Sequence, residues 1–138
     1  MYLFDTNVVS ELRKGQNANQ GVLAFMAQLQ AVNAKVFLSV VTVGELRRGI
    51  EAIRHRRDFA QAQLLETWFN HLMQNYIEHI LPIDTDIAQL WGHLRVPNPY
   101  NELDKLIAAT ALIYDLTVVT RNMSDFQGTG AKLHNPFS

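Results

Sequence analysis

Short apolar runs rich in β-forming residues alternate with longer stretches of helical periodicity along this 138-residue chain. The runs predict strands at residues 2–4, 36–40, 80–83, 117–120 and 132–134. Parallel strands need long connections, which are usually helices, so this alternation predicts an α/β fold. We expect a short parallel β-sheet flanked by helices on both faces, with residues 1–138 forming one domain.

The predicted helices occupy the segments between these strands. Periodic apolar positions and capping residues place them at residues 6–14, 22–29, 59–72 and 102–114, with two more that begin at Thr42 and after Asp84. Residues 16–20 are polar and predict a loop between the first two helices. In the helix of residues 59–72, the apolar residues are expected to face the core, and some of them could instead form a dimer interface. The apolar positions of that helix are Phe59, Leu64, Leu65, Trp68, Phe69 and Leu72.

Composition excludes several kinds of site. The chain has no cysteine, which excludes disulfides, thiolate zinc sites and a cysteine nucleophile, and is consistent with a cytoplasmic location. The N-terminus has no signal-peptide pattern, and no apolar run has the length of a membrane helix. The net charge is −1, so binding to nucleic acid would depend on local basic patches or on metal ions.

Four carboxylates are predicted near one end of the sheet. Asp5 directly follows the first strand, Glu45 lies one helical turn beyond the second, and Asp125 lies just past the fourth. Asp104 lies near the start of the alanine-rich helix. In open α/β sheets, ligands bind beyond the carboxyl ends of the strands. These four side chains could therefore converge in one cleft.

Each carboxylate also has a local explanation that requires no function. Asp5 could be a helix N-cap, and Thr42 with Glu45 could form a capping box. Asp104 could interact with the positive end of its helix dipole, and Asp125 could cap a turn. The joint placement of the four residues favours a site, although each residue alone does not establish one.

Converging carboxylates repel one another unless a cation lies among them. Oxygen ligands of this kind suit Mg²⁺, which typically keeps several waters and can activate one of them against a phosphoryl group. A zinc hydrolase site is disfavoured, because the five histidines show no HExxH-like spacing.

The densest basic segment consists of Arg47, Arg48, Arg54, His55, Arg56 and Arg57. It could bind an RNA backbone, or it could be the solvated face and end of a helix.

Four segments, taken together and in order, resemble the sequence blocks of PIN-domain endoribonuclease toxins of the VapC and FitB type (type II toxin–antitoxin systems). The blocks are residues 3–11, which begin Leu3-Phe4-Asp5-Thr6-Asn7; residues 39–49, which contain Thr42-Val43-Gly44-Glu45; residues 104–111, which begin Asp104-Lys105; and residues 118–126, which contain Thr120-Arg121-Asn122 and end Asp125-Phe126. Lys105 departs from the pattern, since small or apolar residues are common there, and its ammonium group could either neutralise the site or face solvent.

The resemblance implies a metal-dependent ribonuclease. Asp5, Glu45, Asp104 and Asp125 would be the catalytic metal ligands for Mg²⁺ or Mn²⁺. The resemblance also implies supporting polar groups that orient ligands or waters, at Thr6, Asn7, Thr120 and Asn122. The expected partners are an RNA substrate, a cognate VapB-like antitoxin, a second copy of the chain in a homodimer, and operator DNA through the antitoxin alone. No membrane partner is expected.

Two other functions remain open from the sequence. One is a PIN fold with little catalytic activity, acting mainly as a binding or regulatory partner of an antitoxin. The other is a receiver domain, which would need a phosphoacceptor aspartate at the end of a central strand and a lysine at the end of a late strand. Asp84 after the third strand is the candidate phosphoacceptor, and Arg121, not a lysine, follows the late strand.

Overall fold

A computed structural model describes residues 1–138. Its five strands form one parallel sheet in the order β3-β2-β1-β4-β5. The first strand is central, and Leu3 pairs with Phe37 on one side and Val118 on the other. This confirms the predicted α/β architecture. The strands are β1 (Tyr2–Phe4), β2 (Val36–Ser39), β3 (Ile80–Leu81), β4 (Thr117–Val119) and β5 (Lys132–His134).

Six helices cover the two faces of the sheet. Leu3 and Phe4 point to opposite faces because side chains alternate along a strand. Phe4 packs in a core with Phe25, Leu46 and Phe69, whereas Leu3 packs with Ile107 and other residues on the opposite face. The helices are α1 (Thr6–Leu12), α2 (Gln20–Ala31), α3 (Val40–His55), α4 (Phe59–Asn75), α5 (Thr85–Leu94) and α6 (Glu102–Tyr114).

The start of α3 differs from the prediction. The helix begins at Val40, and its N-cap is Ser39, whose side chain accepts a hydrogen bond from the Val41 backbone N–H at 3.0 Å. The capping-box interpretation of Thr42 and Glu45 is therefore wrong. The strand and helix follow each other without a loop, so both residues lie within the first two turns of α3.

Smaller differences occur at other element ends. The first helix ends at Leu12, two residues earlier than predicted, and part of the predicted loop forms a 3-10 turn at Gly15–Asn17. The third strand is limited to Ile80–Leu81. Asp84 is the N-cap of α5 and accepts a hydrogen bond from the Ile87 backbone N–H at 2.9 Å. Asp84 therefore follows an edge strand as a capping residue, and the receiver-domain alternative is wrong.

The apolar face of α4 is less buried than its periodicity suggested. Phe69 is buried, but Phe59 and Leu64 are 62% and 68% exposed. The core prediction is wrong for these two residues, since they lie on the solvent side of α4. None of the helices has the length and apolarity that a membrane span requires.

Candidate active site

Asp5 is the most firmly held residue at the carboxyl edge of the sheet. Its backbone N–H continues the β1–β4 ladder by bonding to the Val119 carbonyl at 2.9 Å. Its side chain is 4% exposed and caps α1, with Oδ1 accepting from the Thr6 backbone N–H at 2.8 Å. Asp5 is therefore both the N-cap of α1 and a carboxylate at this edge of the sheet, so the two interpretations made from the sequence do not exclude each other.

A set of polar side chains surrounds the second oxygen of Asp5. The Thr120 hydroxyl donates to Asp5 Oδ2 at 2.8 Å, and Asn7 Nδ2 donates to the same atom at 3.2 Å. Asn7 is itself oriented, because its Oδ1 accepts from the Arg121 backbone N–H at 3.1 Å. The Asn122 backbone N–H donates to Thr120 Oγ1 at 3.0 Å. The segment after β4 thus holds Asp5 in a single orientation.

Glu45 reaches the same edge from α3. The Thr6 hydroxyl donates to Glu45 Oε1 at 2.7 Å and lies 3.1 Å from the buried hydroxyl of Thr42. The contact between Thr6 and Thr42 was missed in the sequence because Thr42 was assigned to the helix cap. The spacing of Thr42 and Glu45, three residues apart, was the available signal, since it places both on one face of a helix.

Asp104 lies in the first turn of α6 and differs from Asp5 in having no hydrogen-bond partner for its side chain. Burial raises the pKa of Asp104 to about 6, and the charges of Asp5, Asp125 and Glu45 contribute to the rise. Burial also raises the pKa of Asp5, against the lowering effect of its hydrogen bonds from Thr120 and Thr6. The acids are therefore close enough to repel one another.

These side chains line a polar cleft of about 250 Å³. Its lining has no apolar side chain and consists of Asp5, Thr6, Asn7, Glu45, Asp104 and Asn122. Asp125 lies in a 3-10 turn, Met123–Phe126, outside the lining itself. The structure thus brings three of the four predicted acids together and places the fourth within electrostatic range of Asp104.

The acids are not packed tightly. No three carboxylate or imidazole groups lie close enough to hold a metal ion in the observed arrangement. Carboxylate oxygens remain the donors that Mg²⁺ and Mn²⁺ prefer, and burial, followed by the charges of Asp5, Asp125 and Glu45, raises the pKa of Asp104. The donor chemistry fits a hard divalent ion.

Lys105 does not neutralise the cleft. Its side chain is only 5% exposed, and its ammonium group donates to the backbone carbonyl of Asn98. Lys105 therefore joins α6 to the segment that precedes it and does not face solvent.

Two of the predicted basic residues have acidic partners. Arg47 and Arg54 both bind Glu66, at 2.7 Å and 3.1 Å, and both bind Glu51. Hydrogen bonds from the two guanidinium groups lower the pKa of Glu66 to about 2. These two arginines connect α3 to α4, which favours a structural role for their part of the basic segment.

Comparison with known proteins agrees with this fold. The family model of the PIN domain matches residues 2–130. The chain is 32% identical to toxin FitB of Neisseria gonorrhoeae over 142 aligned residues, covering 99% of both chains. It is 31% identical to the VapC ribonuclease Y4jK of Sinorhizobium fredii over 144 aligned residues, covering 99% of this chain and 98% of the relative.

Solved structures show the same similarity. FitAB bound to an IR36 DNA fragment has a TM-score of 0.85 and 27% identity, covering 100% of this chain and 96% of the other. A toxin–antitoxin complex from Klebsiella pneumoniae has a TM-score of 0.70 and 25% identity, covering 100% and 99%. The chain belongs to the PIN domain family, in the group that contains the FitB and VapC toxins.

Proposed function

We propose that this protein, as a single PIN domain of residues 1–138, is the ribonuclease toxin of a type II toxin–antitoxin module. The observation that carries the proposal is the acid-lined cleft at the carboxyl edge of a PIN fold. One relative is a VapC ribonuclease and another is a FitB toxin. RNA is the proposed substrate, and the cytoplasm is the proposed site of action.

Asp5, Glu45, Asp104 and Asp125 would hold Mg²⁺ or Mn²⁺. When bound, such an ion lowers the pKa of a coordinated water and offsets the charge that builds on a phosphoryl group. The support comes from the oxygen-only donor set and from the electrostatic effect of the other three acids on Asp104.

The remaining polar residues orient these acids. Thr120 and Asn7 hold Asp5, and Thr6 holds Glu45, so two of the four proposed ligands have a neighbouring residue that fixes their direction. Asn122 lines the cleft and connects to Thr120 through its backbone. These contacts keep two carboxylates aimed at the cleft before any substrate arrives.

A groove beside the cleft supports the proposed antitoxin partner. It lies between α1, α3 and α4, and includes the apolar side chains of Ile53, Leu65 and Trp68. Thr6 and Glu45 belong to both the groove and the acidic cleft. An antitoxin helix seated in this groove would be placed to block the cleft. From the similarity to the FitB and VapC toxins we also propose a homodimer, with operator DNA bound through the antitoxin.

The proposal is tested by expressing the wild type and Asp5→Asn and sequencing the RNA ends that accumulate. We expect cleavage by the wild type, and a loss of at least about a hundredfold in the variant, the scale of removing one charge-stabilising group. Asp86→Asn, a change of an exposed acid on α5, is the matched control and should retain activity. Circular dichroism should show both variants folded. Full activity of a folded Asp5→Asn protein would refute the proposal.

The wide spacing of the acids favours one alternative, a PIN fold with weak catalysis that acts mainly by binding an antitoxin. Calorimetry separates the two functions. Binding of Mn²⁺ to the wild type, and its loss in Asp104→Asn, supports the ribonuclease; no heat of metal binding supports the alternative.

A further inference from the structure

A second surface pocket adjoins the acidic cleft on the far side of Glu45. It has a volume of about 310 Å³ and is lined by Val41, Gly44, Glu45, Arg48 and Leu103. Glu45 is therefore a wall shared by the pocket and the cleft. A chain-like substrate whose reacting group occupies the cleft would extend its neighbouring group across Glu45 into this pocket.

Arg48 is the one cation in this pocket, and it has no acidic partner. Its neighbours Arg47 and Arg54 are bound to Glu66 and Glu51, whereas Arg48 makes neither an ion pair nor a side-chain hydrogen bond. It is exposed and lies three residues after Glu45, which places both on the same face of α3. Its charge is therefore available to an anion beside the cleft.

The other walls of the pocket are apolar or open. Leu103 is 49% exposed and directly precedes Asp104 on α6. Val41 is half-buried on α3, and Gly44 has no side chain to fill the space between them. An exposed apolar wall beside a free guanidinium group matches a nucleotide, which combines an apolar base face with an anionic phosphate.

We propose that Arg48 and Leu103 form a substrate subsite that determines how RNA is positioned for cleavage. The phosphate next to the cleaved bond binds Arg48, and the attached nucleoside packs against Leu103 and Val41. This inference rests on the proposed ribonuclease function. It also explains how a chain of net charge −1 with an acidic cleft attracts a polyanion, since a local cation offsets the repulsion.

The test measures RNA binding and cleavage with a fluorescent single-stranded oligoribonucleotide. Arg48→Met keeps the length of the side chain and removes its charge. Arg56→Met, at the other end of α3, is the matched control, because Arg56 is also exposed and has no acidic partner. Binding is followed by anisotropy in the Asp5→Asn background, in Mg²⁺ and increasing salt. Cleavage is followed in the otherwise wild-type protein.

We expect Arg48→Met to weaken binding roughly tenfold at low salt and to reduce the slope of log K against log salt by about 0.7, the value for one phosphate contact on a single strand. The KM for RNA should rise, with kcat nearly unchanged. Leu103→Ser should also raise KM, but without changing the salt slope, because it removes no charge.

Equal binding and cleavage by the Arg48→Met and Arg56→Met proteins would overturn the subsite, and wild-type cleavage in the same assay would leave the ribonuclease proposal standing. If Arg48→Met weakened binding of an antitoxin and left RNA binding unchanged, the subsite would also be wrong, because the face would then belong to a protein interface. If the wild type bound RNA through Arg48 but cut none, the ribonuclease proposal would fail, and with it the positioning of RNA for cleavage, whereas RNA binding by Arg48 would stand.

Discussion

The two edges of the acidic cleft are built in opposite ways. On the β1 edge, Asp5 is 4% exposed and accepts hydrogen bonds from Thr6, Asn7 and Thr120. On the α6 edge, Asp104 is half-buried, has no hydrogen-bond partner, and has a pKa raised to about 6. Asp5 is thus oriented by the fold itself, whereas Asp104 has a charge that nothing in the protein compensates.

This difference indicates a division of roles within one candidate site. A carboxylate held by several donors is a preorganised ligand, because little reorganisation is needed when a cation arrives. A carboxylate without partners can move towards the ion and release its proton on binding. Three experiments distinguish these roles.

The largest effect is expected from truncating each acid in turn. Asp5→Ala removes the cap of α1 and leaves the Thr6, Asn7 and Thr120 donors without their acceptor, so the free energy of unfolding should fall by about 2–3 kcal/mol. Asp104→Ala removes a side chain without partners and should cause no such loss. Urea unfolding in EDTA measures both values. Equal destabilisation by the two variants would contradict the proposed division.

A smaller effect is expected at Thr120, which orients Asp5. Thr120→Val removes the hydroxyl donor to Asp5 with little change of shape, and should lower affinity for Mn²⁺ by about 10- to 100-fold, the usual cost of losing a residue that orients a ligand. Thr110→Val is the control, because the Thr110 hydroxyl is equally buried but donates to the Leu106 carbonyl within α6. Both variants should lose some stability. Calorimetry should show weaker metal binding in Thr120→Val alone, and an equal loss in the control would remove Thr120 from the site.

The smallest effect is a pH dependence that originates at Asp104. Its pKa is about 6 in the folded protein and 3.8 as the reference value for the unfolded chain. Between pH 3.8 and 6 the folded state therefore binds more protons than the unfolded state. The stabilising contribution of Asp104, fully present below pH 3.8, is lost as the pH rises through 6. With solvent screening of this half-buried group, the loss is on the order of 1 kcal/mol.

Metal-free unfolding followed across this range should show the decline in the wild type and a flatter profile in Asp104→Asn. Saturating Mn²⁺ should counteract the decline, because the ion competes with the proton for the carboxylate. An identical decline in Asp104→Asn would assign the pH dependence to another group.

Much of the fold could be predicted from the sequence because its determinants are local. The strand at Tyr2–Phe4 ends at an aspartate that caps the next helix, and both properties follow from neighbouring residues. The order of apolar runs and periodic segments is enough to predict a parallel sheet with helices on both faces. Element ends were less predictable, as at α3, where Ser39 rather than Thr42 caps the helix.

The sequence by itself determined the order of strands and helices, the position of Asp5 at a strand end, and the presence of four acids near the carboxyl edge. Only the tertiary structure decided which side chains meet. In the tertiary structure Arg47 and Arg54 bind Glu66, whereas Arg48 lines a pocket and has no acidic partner. The tertiary structure also raised the pKa of Asp104 by burying it near three other acids. Helical periodicity specifies the face of the helix on which a side chain lies. The charged groups near that side chain depend on how separate helices pack across the sheet.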